Sequence, residues 1–538
     1  MIRDAGESAL VLELEPRIDA AVNARAIAIG ASVRGEGIAG VRDVVSTYRS
    51  VAVFFDPLQT RLEAVTAALG RAAREPGRVE ASRIVEVLVA YGGENGPDLQ
   101  DVAGETGLSE AEIIRRHAAE VYRVFMLGFV PGFAYLGILD PSIAVPRRAT
   151  PRVRVPAGSV AIAGRQTGIY PQETPGGWRL IGRTRVRPFD PSRTPQFLVE
   201  AGDHVRFVPV ASLDDTGPAP AAAPPAAQGS AGGLVVLRPG MLTTVQDLGR
   251  WGYQDRGVPV AGPMDAVAHR LANAAVGNAV DAATLEVTLI GPELRFEEEA
   301  MIAVAGADLG ATLDSVAIPP CTAVRAPSGA TLRFSGRRTG SRAYVAVGGG
   351  LDVPRVLGSR ATHVLSAMGG HRGRPLVAGD RLPLARRAAV SAPSRPAPAR
   401  AVATGGVRLR VLPGPQEDDF GESGLEILQR TRFTVSPQSN RMAYRLTGGT
   451  IPRATDREMI SDATCFGGIQ VPPSGEPILL MADRQTSGGY PQVATVVAAD
   501  LPLAGQLAPG DWVEFRVCSR REALAALIAQ EGQLLAGR

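Results

Sequence analysis

The sequence predicts a mainly β protein with additional α+β parts. Its 62 glycines and 42 prolines exceed what a helical protein tolerates, and they favour many short strands joined by turns. The stretch RQTGIYPQ, Arg165 to Gln172, recurs as RQTSGGYPQ, Arg484 to Gln492. A Val-Pro pair precedes each copy and a Gly-Asp pair follows it, at different spacings. This pattern indicates an old duplication, and strands broken by Gly and Pro suggest small closed barrels.

Composition excludes several classes of function. A length of 538 residues predicts roughly three or four domains, and a net charge of +3 without a basic run does not imply nucleic acid. All 57 basic residues are arginine, because the sequence contains no lysine. A P-loop lysine, a Schiff-base lysine and a biotinylated lysine are therefore excluded on this chain.

Cysteine usage and hydropathy predict a cytoplasmic, reduced protein. Cys321, Cys465 and Cys518 have neither metal-site nor disulfide-framework spacing. The sequence shows no basic-then-apolar signal at its start and no apolar run of membrane-spanning length. We therefore expect no membrane association and no bound metal held by these residues.

The first part of the chain predicts a strand, a helix, two strands and a helix. Residues 8–15 alternate in polarity, residues 41–48 and 50–55 are apolar strand candidates, and Pro57 marks a helix start. The next strand, IVEVLVAYG, would complete a βαββαβ unit. We assign residues 1–80 to a small ferredoxin-like α+β domain with a scaffold or interface role.

Residues 81–211 are assigned to the first barrel domain. Ser109 and Glu112 form a capping box on a helix pair that is similar to a helix-turn-helix but lacks a basic face. His117 on this helix is interpreted as a surface or packing residue. The apolar stretch FMLGFVPGFAYLG, residues 125–137, has two interpretations. Its glycines could let backbone approach a ligand while its aromatic rings wall a pocket, or the stretch could be a bent strand that packs its own aromatic rings.

Each Arg-Gln-Thr triplet offers a guanidinium, an amide and a hydroxyl at a loop, which suits a planar carboxylate, phosphate or amide. The alternative is that the triplet only ties a barrel corner together. We predict that Arg165 and Arg484 are catalytic and that each lines a cleft. The substrate-binding residues predicted in and around the two loops are Phe129, Gly132, Phe133, Tyr135, Gln166, Thr167, Tyr170, Gln485, Thr486 and Tyr490.

Two Pro- and Ala-rich stretches predict linkers, a clear one at residues 212–233 and a weaker one at 386–406. They delimit a region at 234–385 and a second barrel-like part at 407–538.

A polar cluster follows the first linker. Carboxylates and amides near a Gly-rich turn can hold Mg²⁺ or orient a water. The competing interpretation is structural: Asp265 caps a helix, Asp247 pairs with Arg250, and Glu286 bonds a neighbouring strand. We favour the structural interpretation for Asp265 and Glu286. The remaining predictions are Gln246 and Asp247 as catalytic residues and Arg250 and Asn273 as substrate-binding residues, with Asn278 nearby.

Long motifs resemble two known families. GFVPGFAYLG, RVPAGSVAIAGRQTGIYP and TPGGWRLIGRT are similar to allophanate hydrolase subunit one, also called the 5-oxoprolinase B subunit or the Kip-type kinase inhibitor. TTVQDLGRWGYQDRGVP, GPMDAVAHRLAN, ATLEVTLIGP and ADRQTSGGYPQ resemble the subunit two family, the 5-oxoprolinase C subunit or the Kip antagonist. The resemblance implies cyclophilin-like β-barrels in both halves and a fusion joint at residues 212–233.

The resemblance also implies a function. It indicates a component of ATP-dependent 5-oxoprolinase that acts on a small amide-like substrate, with ATP and Mg²⁺ as cofactors and a separate A subunit of the LamB/YcsF type in an oligomer. A second possibility is the carboxyltransferase portion of urea carboxylase, which would need a separate biotin carrier because this chain has no lysine. A third is a non-catalytic kinase regulator.

Overall fold

The computed structural model describes residues 1–77, 82–216, 233–385, 402, 404–455, 457 and 459–536. The two predicted linkers, 212–233 and 386–406, lie largely outside the described residues. None of the helices in the described ranges has the length and apolar content that a membrane crossing needs.

The chain begins with an α+β layer. Its antiparallel sheet has the order β1-β2-β4-β3, and the two helices pack on it. The elements are β1 (Ile2–Asp4), β2 (Ala9–Glu13), α1 (Ala20–Gly35), β3 (Val41–Ser46), β4 (Ser50–Phe55) and α2 (Leu62–Arg74).

One predicted strand lies elsewhere. The strand at Ile84–Tyr91 does not complete this sheet, because it pairs with barrel strands instead. Its expected place beside β2 is taken by β1 at the start of the chain, with Arg3 opposite Val11. The layer is therefore ferredoxin-like, but its edge strand comes from the start of this segment of the chain and not from its end.

A closed barrel follows. Its order is β5-β12-β9-β10-β7-β6-β13, and β13 returns beside β5 in parallel, while the other neighbours are antiparallel. A separate ribbon pairs β8 with β11. The elements are β5 (Ile84–Tyr91), α3 (Leu99–Thr106), α4 (Glu110–Ala119), β6 (Val121–Leu127), β7 (Ala134–Gly137), β8 (Arg152–Val155), β9 (Ser159–Ala163), β10 (Gln166–Ile169), β11 (Thr174–Gly176), β12 (Arg179–Arg183) and β13 (His204–Val210).

The middle region stacks two sheets over one hydrophobic core. Their orders are β20-β19-β22-β17-β14-β24 and β15-β16-β23-β18-β21. The elements are β14 (Leu234–Arg238), β15 (Leu242–Gln246), α5 (Ala266–Ala275), β16 (Thr284–Thr288), β17 (Glu293–Phe296), β18 (Ala300–Asp308), β19 (Ala311–Leu313), β20 (Val316–Ala317), β21 (Val324–Ala326), β22 (Thr331–Phe334), β23 (Thr339–Val347) and β24 (Arg381–Leu382).

The last region is a second closed barrel, with the order β25-β32-β29-β30-β27-β26-β33 and a parallel β25–β33 pair. A barrel in each half confirms the predicted cyclophilin-like architecture. The elements are β25 (Gly406–Pro413), α6 (Gly421–Arg430), β26 (Phe433–Val435), β27 (Ala443–Thr447), β28 (Asp462–Ala463), β29 (Gly468–Gln470), β30 (Ile478–Leu480), β31 (Ser487–Gly488), β32 (Gln492–Val496), α7 (Leu501–Ala504), β33 (Trp512–Val517) and α8 (Arg520–Ala536).

The two barrels share one topology. We number the seven strands of each barrel by their order along the chain. The order around both barrels is then 1-6-4-5-3-2-7. A matching ladder contact fixes the correspondence. Gly158 N donates to Tyr170 O at 2.7 Å, and Gly467 N donates to Leu480 O at 2.9 Å. Tyr170 therefore corresponds to Leu480.

This register contradicts the predicted equivalence of the two Arg-Gln-Thr loops. Arg165 lies in the turn between β9 and β10, whereas Arg484 follows β30, one strand later in the topology. The structural counterparts are instead TPGGW, residues 174–178, and TSGGY, residues 486–490. Each segment carries the short ribbon strand, β11 or β31, that leads into the next barrel strand.

Candidate functional site

Some of the predicted site residues lie at the seam between the two halves of the chain, and others lie inside a barrel or on the surface. Gly132 N donates to Arg256 O at 3.0 Å, and Leu127 and Arg256 form an isolated bridge. Gly132 has a φ of +79°, and a Cβ there would lie 2.8 Å from the Phe189 side chain. The glycine therefore permits a close approach of protein segments, which replaces the predicted approach of a ligand.

Phe133 is the centre of an aromatic cluster rather than a pocket wall. Its ring centroid lies 4.9 Å from that of Tyr135, 5.3 Å from Tyr170, 5.5 Å from Trp178 and 5.6 Å from Phe129. Phe133 is 2% exposed, whereas Phe129 is half-buried at the edge of the cluster. Of the two interpretations of this stretch, ring packing holds for Phe133.

Hydroxyl and amide groups line the seam beside these rings. The Gln166 amide donates to the Tyr48 hydroxyl, which joins the first barrel to the N-terminal sheet. Phe129 N donates to Ser487 Oγ of the second barrel at 3.1 Å. Burial raises the pKa of Tyr48 well above its usual value and also raises the pKa of Tyr135, so both phenols stay protonated. We call the five rings of Phe129, Phe133, Tyr135, Tyr170 and Trp178 the aromatic seam.

Thr167, predicted to bind substrate, belongs to the barrel interior, whereas Tyr170, also predicted to bind substrate, packs in the aromatic cluster around Phe133. Thr167 Oγ1 lies 2.8 Å from His117 Nε2 and donates to Ala161 O at 3.1 Å, so its hydroxyl is occupied. His117 is a packing residue, as interpreted from the sequence, since its Nδ1 lies 2.7 Å from Tyr91 Oη. Tyr170 is 2% exposed.

Arg165 and Tyr490 lie on the surface. Arg165 is exposed in its hairpin turn, where its carbonyl accepts a hydrogen bond from Leu139 N at 2.9 Å. Tyr490 is 44% exposed. Exposure at a turn tip does not fit the cleft-lining position predicted for Arg165 or the substrate-binding role predicted for Tyr490.

Arg484 has the opposite environment. It is 3% exposed, its Nη2 donates to Gln254 Oε1 at 2.8 Å, and its Nε donates to Thr464 O at 3.3 Å. These acceptors are neutral, and burial lowers the pKa of Arg484 to about 10. Beside it, Gln485 is half-buried, and the buried Thr486 Oγ1 has no hydrogen-bond partner among the described residues. A buried guanidinium without a carboxylate is costly, which marks this position as a candidate anion site.

Arg250 is a second buried cation of this kind. It is 1% exposed and donates to the carbonyl of Ala361, while its Nη1 has no hydrogen-bond partner in the part of the chain that the structure describes. Burial lowers the pKa of Arg250 to about 10, against the opposing effect of Asp247 and Asp483. His363 lies nearby, and its Nε2 also lacks a hydrogen-bond partner within the described ranges. Arg342 is buried too, but its Nη1 donates to Tyr444 Oη at 2.8 Å and to Gly505 O at 2.6 Å.

Asp247 holds two loops together. Its Oδ1 accepts from Gly249 N at 3.0 Å and from Ser359 Oγ at 2.6 Å, and its Oδ2 accepts from Arg360 N at 2.5 Å. The predicted ion pair between Asp247 and Arg250 is absent among these described residues. Gln246 Nε2 donates to Thr362 O at 3.1 Å, while its buried Oε1 accepts no hydrogen bond from any described residue.

The described residues do not fit a Mg²⁺ site. No three His, Cys, Asp or Glu side chains lie together as a metal-binding group in the described part of the chain. The carboxylate of Asp247, the best candidate metal ligand from the sequence, already accepts three hydrogen bonds from protein donors. We therefore derive no step through a metal ion held by these residues.

The remaining polar residues join the middle region to the second barrel. Arg441 pairs with Glu286 and, through Nε, with Asp483 Oδ2 at 2.9 Å, and all three are buried. Glu286 Oε2 also accepts from Met264 N at 2.9 Å and Tyr344 Oη at 2.7 Å. The structural interpretation of Glu286 therefore holds.

Asp265 and Asn273 are structural as well. Asp265 Oδ1 accepts from Ala268 N at 2.9 Å as the N-cap of α5. Asn273 Nδ2 donates to Ala282 O at 2.8 Å, and its Oδ1 accepts from Asn278 Nδ2 at 3.0 Å. The predicted substrate-binding role of Asn273 conflicts with this geometry, since its amide is already occupied.

Two family models match the chain. The first, described as carboxyltransferase domain, subdomain C and D, matches residues 1–199, and the second, carboxyltransferase domain, subdomain A and B, matches residues 256–517. The chain belongs to the carboxyltransferase-domain family. It joins both subdomain pairs in one polypeptide.

The relatives divide in the same way. The chain is 44% identical over 210 residues to the 5-oxoprolinase B subunit of Escherichia coli O157:H7, covering 38% of this chain and 93% of that protein. It is 41% identical over 295 residues to the 5-oxoprolinase C subunit of Escherichia coli strain K12, covering 54% of this chain and 94% of that protein. These matches confirm the predicted fusion of a B-like and a C-like part.

Solved structures and a longer relative complete the comparison. A crystal structure of TTHA0988 has a TM-score of 0.85 and 36% identity, covering 96% of this chain and 100% of that chain. Urea amidolyase of Saccharomyces cerevisiae is 35% identical over 305 residues, covering 52% of this chain but 16% of that protein.

Proposed function

We propose that the chain is a component of an ATP-dependent 5-oxoprolinase, which opens the lactam of 5-oxoproline to glutamate together with a separate A subunit. Support comes from the relatives named as the B and C subunits of 5-oxoprolinase, which align with successive parts of one chain over 93% and 94% of their lengths. The permanent joining of both parts favours one working complex over two opposing regulators.

The observation that carries the proposed site is that the buried Arg484 guanidinium donates to neutral acceptors and has no ion pair within the described part of the chain. 5-Oxoproline has a carboxylate next to its lactam. In our proposal this anionic group binds the Arg484 guanidinium and the free hydroxyl of Thr486, which compensates the buried charge. The aromatic seam, which lies beside Thr486 through Ser487, then contacts the apolar face of the ring.

ATP enters this proposal as a cosubstrate. An unstrained amide is a poor electrophile, and phosphorylation of its oxygen creates a leaving group and a carbon that water can attack. Buried guanidiniums such as Arg250 stabilise the negative charge of the phosphate group that the activated oxygen carries. We assign no residue of this chain to the nucleotide.

The test is reconstitution. The full chain, mixed with its A-type partner, should convert 5-oxoproline to glutamate only when ATP and Mg²⁺ are both present, as measured by glutamate release. The chain alone should show at most ATP turnover. Glutamate release by the isolated chain without ATP would overturn this division of labour.

The family description supports a second candidate, a biotin-dependent carboxyltransferase acting on urea or a related amide. A structure of urea amidolyase from K. lactis covers 57% of this chain and 20% of that chain, with a TM-score of 0.54. Incubation with a separate carboxylated biotin carrier and urea would produce carboxylated urea under this alternative. Loss of the carboxyl group only to solvent would exclude it.

A further inference from the structure

The N-terminal sheet reaches across the seam to the loop that contacts Arg484. Asp43, on β3, is 5% exposed. Its Oδ2 accepts from Gly252 N at 3.0 Å and from Gln254 N at 3.1 Å. One carboxylate oxygen therefore fixes the backbone on both sides of Tyr253, in the loop between β15 and α5.

Gln254 transmits this position to Arg484. Its side chain is 1% exposed, and its Oε1 accepts from Arg484 Nη2 at 2.8 Å. The other bond of the guanidinium, from Nε to Thr464 O, is longer at 3.3 Å. The Gln254 bond is thus the shorter of the two and the one at the outer end of the guanidinium. A shift of this loop would therefore change the orientation of the Arg484 guanidinium.

We propose that Asp43 is a positioning residue for Arg484. It fixes the loop at Gly252 and Gln254, so that the Gln254 amide holds the guanidinium in the orientation that binds the anionic group of the substrate. This inference rests on the function proposed above, in which Arg484 binds the substrate carboxylate. It gives the N-terminal domain a role in a site that lies in the other half of the chain.

The first test measures the position of Arg484 without any assay of activity. The full chain is treated with phenylglyoxal, and modification of Arg484 is followed by peptide mass spectrometry. We expect slow modification in the wild type and at least roughly tenfold faster modification in Asp43→Ala, because loss of the loop contacts frees the guanidinium. Asp43→Asn keeps an acceptor oxygen and should stay within about threefold of the wild type.

Arg34→Ala provides a matched control. Arg34 Nη2 pairs with Asp255 Oδ2 at 2.9 Å, so it joins the same domain to the same loop without contacting Gln254. Its side chain is half-exposed. We expect the Arg484 modification rate of Arg34→Ala to equal that of the wild type. Equal acceleration in Arg34→Ala and Asp43→Ala would show general loosening of the interface and overturn the proposal.

The second test uses the reconstituted reaction. In Asp43→Ala, KM for 5-oxoproline should rise roughly 10- to 100-fold with a smaller change in kcat, the loss expected for one charge-assisted contact. The double variant with Arg484→Ala should be no worse than Arg484→Ala alone, because both changes remove the same interaction. Additive losses would overturn the positioning role.

The two tests separate the two proposals. An unchanged Arg484 modification rate in Asp43→Ala overturns the positioning role, whatever the enzyme does. Faster modification with an unchanged KM in both Asp43→Ala and Arg484→Ala supports the positioning role and removes Arg484 from the substrate site.

Discussion

The two barrels have the same strand order, but their Arg-Gln-Thr triplets lie at different positions and in opposite environments. Arg165 is exposed in the turn before β10, and Arg484 is buried after β30. The ladder contacts of Gly158 and Gly467 show that these arginines do not occupy equivalent positions. A repeated sequence therefore marks equivalent sites only when the hydrogen-bond register agrees, and here TPGGW and TSGGY are the structural repeat.

The barrels also differ in where their polar groups lie. The first has a polar chain inside, in which His117 lies between Tyr91 and Thr167. The second has no histidine in residues 407–538 and is joined to the middle region by buried ions around Arg441. These buried ions lie at the junction between the second barrel and the middle region, and the candidate site lies at this junction too.

The largest effect should come from breaking that junction. Arg441→Met leaves Glu286 and Asp483 buried without their cation, so we expect a loss of about 3–5 kcal/mol in the free energy of unfolding. In the first barrel, Arg152→Met should cost about 1–2 kcal/mol. Asp98 keeps its bonds from Arg148 at 2.8 Å and Leu180 N at 2.7 Å. Amide exchange in β27 and in β9 measures the two losses, and equal losses would contradict the distinction.

The next effect sharpens the contrast between the two arginines. Arg484→Ala should raise KM for 5-oxoproline roughly 10- to 100-fold, and Arg484→Lys should not restore it because an ammonium cannot reproduce the planar contact. Arg165→Ala is the matched control from the same sequence motif and should change KM less than about twofold, since its side chain is exposed. A large effect at Arg165 would restore the equivalence that the register removes.

The sequence predicts features that depend on near neighbours. Ser109 caps α4 by accepting from Glu112 N at 3.2 Å, and Asp265 caps α5, both as expected from the capping patterns. The barrels follow from glycine, proline and the family motifs. The sequence predicts that His117 is a surface or packing residue, and its burial shows that it is the latter.

The seam could not be predicted in the same way. Arg441 is 155 residues from Glu286 and 42 from Asp483, and Gln166 is 118 from Tyr48. No local pattern pairs residues so distant, although Arg441 lies within the motif SNRMAYRL and Asp483 directly before the second Arg-Gln-Thr triplet. Burial is equally invisible, so the sequence alone could not distinguish Arg165 from Arg484.

Asp247→Asn tests the contacts by which one carboxylate holds two loops of the middle region together. Because Asp247 bonds Gly249, Ser359 and Arg360, we expect a loss of about 1–2 kcal/mol in stability, with residual activity following the folded fraction. Thermal unfolding and the reconstituted assay are measured on the same samples. If activity disappears while the melting temperature holds, Asp247 has a chemical role.

The smallest predicted effect is on the pH dependence of stability. It should differ between the barrels because the first contains His117 and residues 407–538 contain no histidine. Burial lowers the pKa of His117 to about 3, whereas an unfolded histidine has a pKa of about 6.5. Below pH 6.5 the unfolded state binds a proton that the folded state does not, so the first barrel loses stability as pH falls from about 6.5 toward 3. Between pH 8 and pH 6 this amounts to about 0.8 kcal/mol. His117→Gln removes this pH dependence whatever its cost at pH 8. Amide exchange in β6 and β13, compared with β26 and β33 as the histidine-free reference, measures the difference. An unchanged slope in His117→Gln would mean that His117 is not the group that titrates.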